Sequence, residues 1–191
     1  MNIKKLTAAA VVSLLTCGSA QAGTVWSGNG HEYALILSNG ISWTNASSAA
    51  AALGADWHLA TVTTAAEQQF IVSTFLTPNP ALNGNPSIAH FWLGASDALS
   101  EGDWKWVTGE SWSYNNWNTG EPNNSGNEDY LAMDARGGWK WNDAPSNLGG
   151  GYVAGYIVER NAVPEPASLV LVGTALLAAG ALRRRKPSTS A

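Results

Sequence analysis

The stretch WNTGEPNNSGNEDYLAMDARGGWKWND, residues 117–143, decides how this chain reads. It holds Glu121, Asn123, Glu128, Asp129, Asn142 and Asp143, with Gly and Pro set between them. Amide and carboxylate side chains offer a metal only oxygen, and oxygen ligands on loops suit a hard cation such as calcium. The stretch has neither Cys nor His, which argues against zinc. It also fails the EF-hand pattern, because no Asp-x-Asx-x-Asx precedes Gly126 and no Glu falls at the twelfth position. The spacing therefore predicts a cation site assembled from two separate loop segments.

Outward from this stretch, the chain reads as one domain between two export signals. Lys4 and Lys5, the apolar run from Leu6 to Leu15 and Ala20-Gln21-Ala22 form a signal peptide over residues 1–22, cut after Ala22. At the other end, residues 163–191 form a tail. Val163-Pro164-Glu165-Pro166 leads into an apolar helix at 169–182 and a basic end at 183–186. That run is expected to act as a short transmembrane helix giving transient membrane anchoring. It nonetheless falls below the roughly 20 residues of a comfortable span. Cys17 is the chain's single cysteine, so the mature domain has none and forms no disulfide.

Residues 23–162 have the length of one domain with one core. They carry thirteen acids against four bases, Lys105, Arg136, Lys140 and Arg160, a net charge of −9. Such acidity argues against nucleic acid, whose phosphates need basic partners. His31–Ser38 reads as a buried strand closed by Asn39-Gly40. Ser42-Trp43-Thr44-Asn45-Ala46 opens an Ala-rich helix stopped at Gly54, and Thr64-Ala-Ala-Glu67 is a capping box for a second helix. Strands are expected at 90–97, 104–107 and 151–159, the last pairing back to the first. Residues 77–88 read as a loop, and 111–150 as one long binding loop without regular structure. The pattern is α+β.

Glu121-Pro122-Asn123, Glu128-Asp129 and Trp141-Asn142-Asp143 resemble the calcium and sugar site of mannose-type C-type lectin domains. Phe91-Trp92-Leu93-Gly94 resembles that family's core strand, and Trp43-x-x-Ala46 before His58-Leu59-Ala60 its first helix. The resemblance implies a C-type lectin-like fold with two helices, small antiparallel sheets and a long calcium-binding loop. It implies that Glu121, Asn123, Glu128, Asn142 and Asp143 bind both Ca2+ and sugar, with a cis Glu121–Pro122 bond. It implies an auxiliary calcium at Asp97, Glu101, Asn124, Glu128 and Asp129, where Asn124 replaces the usual Asp. The two family disulfides fall on Ala50, Val158, Tyr130 and Ser146, so both are missing. The tail resembles the PEP-CTERM signal, which implies surface export from a Gram-negative bacterium and processing by an exosortase. The partners implied are extracellular polysaccharide or glycans.

No Ser-His-Asp signature, phosphate loop or Cys nucleophile stands in the domain, and an enzyme is not expected. The competing expectation is a structural or protein-binding matrix component on the same fold. Trp92, Trp104, Trp106 and Trp141 are expected in the core, with Trp117 propping the loop. His31, His58 and His90 read as isolated.

Overall fold

Alternating apolar residues build a two-faced sheet in this protein. The computed structural model describes residues 23–77, 90–148 and 151–161. In chain order the elements are β1 (Thr24–Val25), β2 (His31–Leu37), α1 (Trp43–Ala52), β3 (His58–Leu59), α2 (Ala65–Ile71), β4 (His90–Ser96), β5 (Lys105–Trp106), β6 (Tyr130–Asp134), β7 (Lys140–Ala144) and β8 (Val153–Asn161). A π-helical turn, Val72–Leu76, extends α2, and a 3-10 turn, Ala135–Gly137, joins β6 to β7. The strands form one eight-stranded sheet with the central path β1-β2-β8-β4-β6-β7, while β3 pairs β8 and β5 pairs β4. The β4–β8 pair is parallel and the rest are antiparallel. The architecture is therefore α+β, with one mixed sheet in place of several small antiparallel ones.

Successive side chains on a strand point to opposite faces, and here each face feeds its own core. Tyr33, Leu35, Phe91, Leu93, Leu131, Met133 and Ile157 pack with Ile71, Phe75 and Leu76 of the second helical segment. Ala34, Ile36, Trp92, Ala132, Tyr156 and Val158 pack with Ala46 and Ala50 of α1. Both helices start as their caps predict. Ser42 accepts the Asn45 N–H, and Thr64 accepts the Glu67 N–H. Glu67 reaches back one residue further than a capping box requires, to the Thr63 N–H at 2.7 Å. Two indoles then tie α1 to the sheet. Trp43 Nε1 donates to the Leu93 carbonyl at 2.7 Å, and Trp92 Nε1 to the Ile41 carbonyl at 2.8 Å. Gly94 is required there, because a Cβ would collide with the Leu59 carbonyl.

Packing stands at the positions of the missing disulfides. Ala50 and Val158 are fully buried in the α1-side core. Tyr130 packs on Trp43 with ring centroids 4.7 Å apart, and the Ser146 carbonyl accepts the Trp43 N–H at 3.0 Å. Trp92 and Trp141 are fully buried, Trp104 and Trp106 nearly so, and Trp117 bridges to Trp141 along the backbone.

Two expectations are corrected. Residues 111–150 are not one irregular loop, since β6 and β7 pair within them from Tyr130↔Ala144 to Asp134↔Lys140. Gly137-Gly138 marks the turn of this hairpin, and Gly138 adopts the left-handed conformation. The transmembrane helix is also corrected: among the described residues no helix is long and apolar enough to cross a membrane. The signal peptide, the loop at 78–89 and the tail with its 169–182 run lie outside the described residues.

The histidines are not isolated. His31 Nδ1 and His58 Nε2 stand 3.8 and 3.9 Å from Glu159 Oε1, and His90 Nε2 stands 3.8 Å from Asp134. Glu159 is buried, and its Oε2 has no hydrogen-bond partner. Thr61 Oγ1 lies 2.6 Å from Glu159 and 2.7 Å from Glu110. One hydroxyl proton cannot serve both carboxylates. Burial pushes Glu159 up to about 8, with Glu67 and Glu110 adding to the shift and Thr61 opposing it. A folded-state value raised above the ordinary 4.5 gives stability that is complete below that pH and lost as pH rises through about 8. Glu159→Gln is expected to melt about 3–6 °C higher than the wild type at pH 8.5, with the difference closing toward pH 4.5. Equal melting curves for the two proteins at pH 8.5 would contradict this.

Candidate functional site

The site grows from the end of β7. Trp141 and Asp143 share one face of that strand, and Asn142 points to the other. Trp141 is locked in the core: its Nε1 donates to Gln68 Oε1 at 2.9 Å, and the rings of Trp106 and Trp117 meet it edge-on. This anchoring fixes the strand that carries Asn142 and Asp143. Asp143 is 1% exposed, and its two carboxylate oxygens accept the backbone N–H groups of Asn123 (3.2 Å) and Asn124 (2.7 Å). One buried carboxylate therefore holds the 121–124 turn against the sheet, through charge-assisted hydrogen bonds. The Glu121–Pro122 bond in this turn is cis.

The remaining residues follow from that clasp. Asn124 has positive φ and accepts the Glu128 N–H at 2.8 Å through its side-chain oxygen. The Ser125 N–H lies 2.8 Å from Asn123 Oδ1 and 2.9 Å from Glu128 Oε2, linking those two side chains. Glu121, Asn123, Glu128, Asn142 and Asp143 are thus gathered by one short turn and one strand end. Asn123, Glu128 and Asn142 open into a single surface cavity of about 260 Å³. The Asn142 side-chain amide donates to the Asp143 carbonyl, so that carbonyl already has a protein partner.

The auxiliary set gathers less completely. Asn124 Nδ2 donates to Glu101 Oε2 at 2.5 Å, and the Asp97 N–H to the Asp129 carbonyl at 3.2 Å. Asp97 is buried, with Oδ2 accepting the Gly102 N–H and Oδ1 lacking a partner. The Asp129 carboxylate instead accepts the Asn127 amide. Among the described residues, no three His, Cys, Asp or Glu side chains form a group able to hold a metal. A cation here needs amide and backbone oxygens as well as acids.

The electrostatics show acids crowded together. Desolvation, the contact with Asp143 and the charge of Glu128 push Glu121 up to about 7. Its Oε2 is buried and has no partner. Glu128 is raised by desolvation and by Asp143, with the Ser125 N–H opposing. Asp97 is raised mainly by desolvation, with Asp129 and Asp143 adding to it. An orphaned carboxylate oxygen beside like charges is the environment that a hard cation relieves. Sequence reasoning missed Ser125, His90, Arg136 and Tyr152, which also line the cavity. None of the four stands in a metal-ligand spacing that could have given it away.

Residues 39–153 match the Lectin C-type domain family, and residues 162–186 match the PEP-CTERM protein-sorting motif. That motif marks export to the cell surface or exterior by an exosortase-type sorting system, typically in Gram-negative-type bacteria. Ladderlectin of Oncorhynchus mykiss is 31% identical over 142 residues, which is 74% of this chain and 69% of the relative. Among solved structures, the cow carbohydrate-recognition domain of CD23, crystallised with a GlcNAc2Man3 oligosaccharide, is 27% identical. It covers 71% of this chain and 91% of its own, with a TM-score of 0.55. The lectin CEL-I of Cucumaria echinata is 25% identical, covering 73% and 96%, with a TM-score of 0.58.

The crowding sets a test. With Glu121 raised from 4.5 to about 7, its stabilising contribution is complete below 4.5 and gone above 7. Gln mimics the protonated acid. In EGTA at pH 8, Glu121→Gln is expected to melt about 1–3 °C higher than the wild type, a small shift because the group is partly solvated. A lower melting temperature under those conditions would mean that the acids are not in conflict.

Proposed function

We propose that this chain, which belongs to the C-type lectin domain family, is a calcium-dependent carbohydrate-binding protein of the cell surface or extracellular matrix. The observation that carries the reading is the double clasp of Asp143 on the 121–124 turn, which brings five oxygen-bearing side chains together, three of them, Asn123, Glu128 and Asn142, lining one cavity. Glu121, Asn123, Glu128, Asn142 and Asp143 would hold the primary calcium. Asp97, Glu101, Asn124, Glu128 and Asp129 would hold an auxiliary one, with affinity lowered by the neutral Asn124. These side chains fit such an ion: all offer hard oxygen, and Glu121 keeps one oxygen without a partner. The relatives are lectin domains, and the chain is a non-enzymatic protein.

A sugar is neutral and heavily hydrated, so a site must replace its water contacts nearly one for one. Bound calcium supplies positions for two neighbouring hydroxyls. The protein's part is to finish the hydrogen bonding of those hydroxyls. Glu121 and Glu128 accept their protons, and the Asn123 and Asn142 amides donate to their lone pairs. Hydrogen bonds to charged acceptors contribute roughly 1.5–3 kcal/mol each. The order Glu-Pro-Asn favours equatorial hydroxyl pairs, as in mannose, glucose or fucose. Surface display would supply the multivalency that weak single sites need.

A second reading has its own support. No acid cluster sufficient for a metal stands among the described residues, which suits a matrix component that binds protein or other surfaces without calcium. Chelation separates the two. The wild type is expected to stay on mannose resin in millimolar calcium and to elute with EGTA. Glu121→Gln combined with Asn123→Asp is expected to shift retention toward galactose resin. Mannose retention that survives EGTA, or a double variant with unchanged preference, would defeat the donor–acceptor account.

A further inference from the structure

Gln68 is a neutral amide on the buried side of α2, 7% exposed. A primary amide in such a place is costly unless both its ends are bonded. Both are. Oε1 accepts the Trp141 indole N–H at 2.9 Å, and Nε2 donates to the Trp139 carbonyl at 2.8 Å. An indole N–H only donates and a carbonyl only accepts, so one orientation of the amide satisfies both. Neither an aliphatic side chain nor an ionised carboxylate offers a donor and an acceptor together.

What the amide holds is a strained entry into β7. Trp139, just before the strand, has a φ of 67°, a left-handed backbone that a bulky residue rarely adopts. Such a conformation persists only where the surroundings over-determine it, and it collects at functional sites. Three contacts fix it here: the Gln68 amide on its carbonyl, its own N–H on the Asp134 carbonyl at 2.9 Å, and its ring against Phe91. The Gln68 amide grips Trp141 as well.

From Trp141 two routes lead into the site. Along β7 come Asn142 and Asp143, whose carboxylate clasps the N–H groups of Asn123 and Asn124. Sideways, the Trp141 N–H donates to the Asn116 carbonyl and its own carbonyl accepts the Asn118 N–H, both at 2.8 Å. The Asn118 carbonyl then accepts the Glu121 N–H at 3.0 Å. One amide therefore stands behind both the strand that carries Asn142 and Asp143 and the segment that delivers Glu121.

We propose that Gln68 is a positioning residue for the cation site, fixing where the ligands stand through Trp139 and Trp141 without itself touching an ion. The inference rests on the calcium-binding reading above. It adds a determinant of cation affinity that lies on α2, outside the acid-rich loops. Partners behind a metal's direct ligands commonly change affinity by about 10–100-fold when removed.

Gln68→Met keeps the unbranched side chain and removes both hydrogen bonds. Ile71→Val trims the buried core on the same helix and leaves those bonds in place, so it reports destabilisation alone. In calcium titrations of the purified full chain, well below melting, Gln68→Met is expected to bind about tenfold more weakly. Ile71→Val should stay within about twofold of the wild type. In EGTA, the Asn123 and Asn124 amides should exchange with deuterium about tenfold faster in Gln68→Met and at the wild-type rate in Ile71→Val. Trp141→Phe removes the same indole bond and should weaken calcium to a similar degree, with little added by combining it with Gln68→Met. If Gln68→Met does not fold, Trp141→Phe is read alone against the same expectations. Unchanged calcium affinity or unchanged amide exchange overturns the positioning role alone. So does an Ile71→Val that weakens calcium as much, or two losses that simply add. A wild type that takes up no calcium defeats the function reading, and the inference falls with it.

Discussion

A buried carboxylate that must be satisfied governs the functional end of this molecule. Asp143 is almost fully removed from water, and an ion there without partners would be too costly to keep. It is stabilised by the N–H groups of Asn123 and Asn124, twenty and nineteen residues away in sequence. The 121–124 turn is held where Asp143 holds it. Asp143 is in turn held by Trp141, whose indole is set among Trp106, Trp112 and Trp117 and bonded to Gln68 of α2. Order therefore runs from the α2-side core through one indole to one carboxylate, and from there into the loop.

This chain of support explains how a domain without disulfides keeps a long irregular stretch in place. A bridge would contribute about 2–4 kcal/mol by restricting the unfolded chain. Here aromatic packing at Trp43–Tyr130 and aliphatic packing at Ala50 and Val158 occupy the same positions, and they act on the folded state. Aromatic pairs contribute about 0.5–1.5 kcal/mol beyond area burial, and the cluster around Trp141 has several. The conflict is electrostatic. Glu121, Glu128 and Asp143 crowd together in the same structure that the indoles stabilise, which leaves Glu121 with a raised pKa. The packing that orders this turn therefore also holds its acids in mutual repulsion.

Much of this was legible in the sequence, and the failures have physical causes. Capping residues Ser42 and Thr64 located both helices, because a cap is a local signal. The β2 and β8 strands were legible from their apolar runs. The β6–β7 hairpin was not, since its strands carry the polar residues Asp134, Asn142 and Asp143 among Leu131, Met133 and Trp141. The functional demand there masks the alternation that marks a strand. The site motifs were readable as types and spacing. Their connections were not: that Asp143 accepts the backbone N–H groups of Asn123 and Asn124, or that Asn142 turns onto the Asp143 carbonyl, depends on tertiary geometry. Arg136 and Tyr152 were invisible because they reach the cavity from separate elements.

The central claim is that these crowded oxygens exist to hold a divalent cation. Calcium titration of the purified chain by calorimetry tests it most directly. The account predicts uptake of at least one ion, with a dissociation constant about 10⁻⁴–10⁻³ M or tighter. It also predicts that Asn142→Ala weakens this uptake. A flat titration, or uptake that Asn142→Ala leaves untouched, would contradict it.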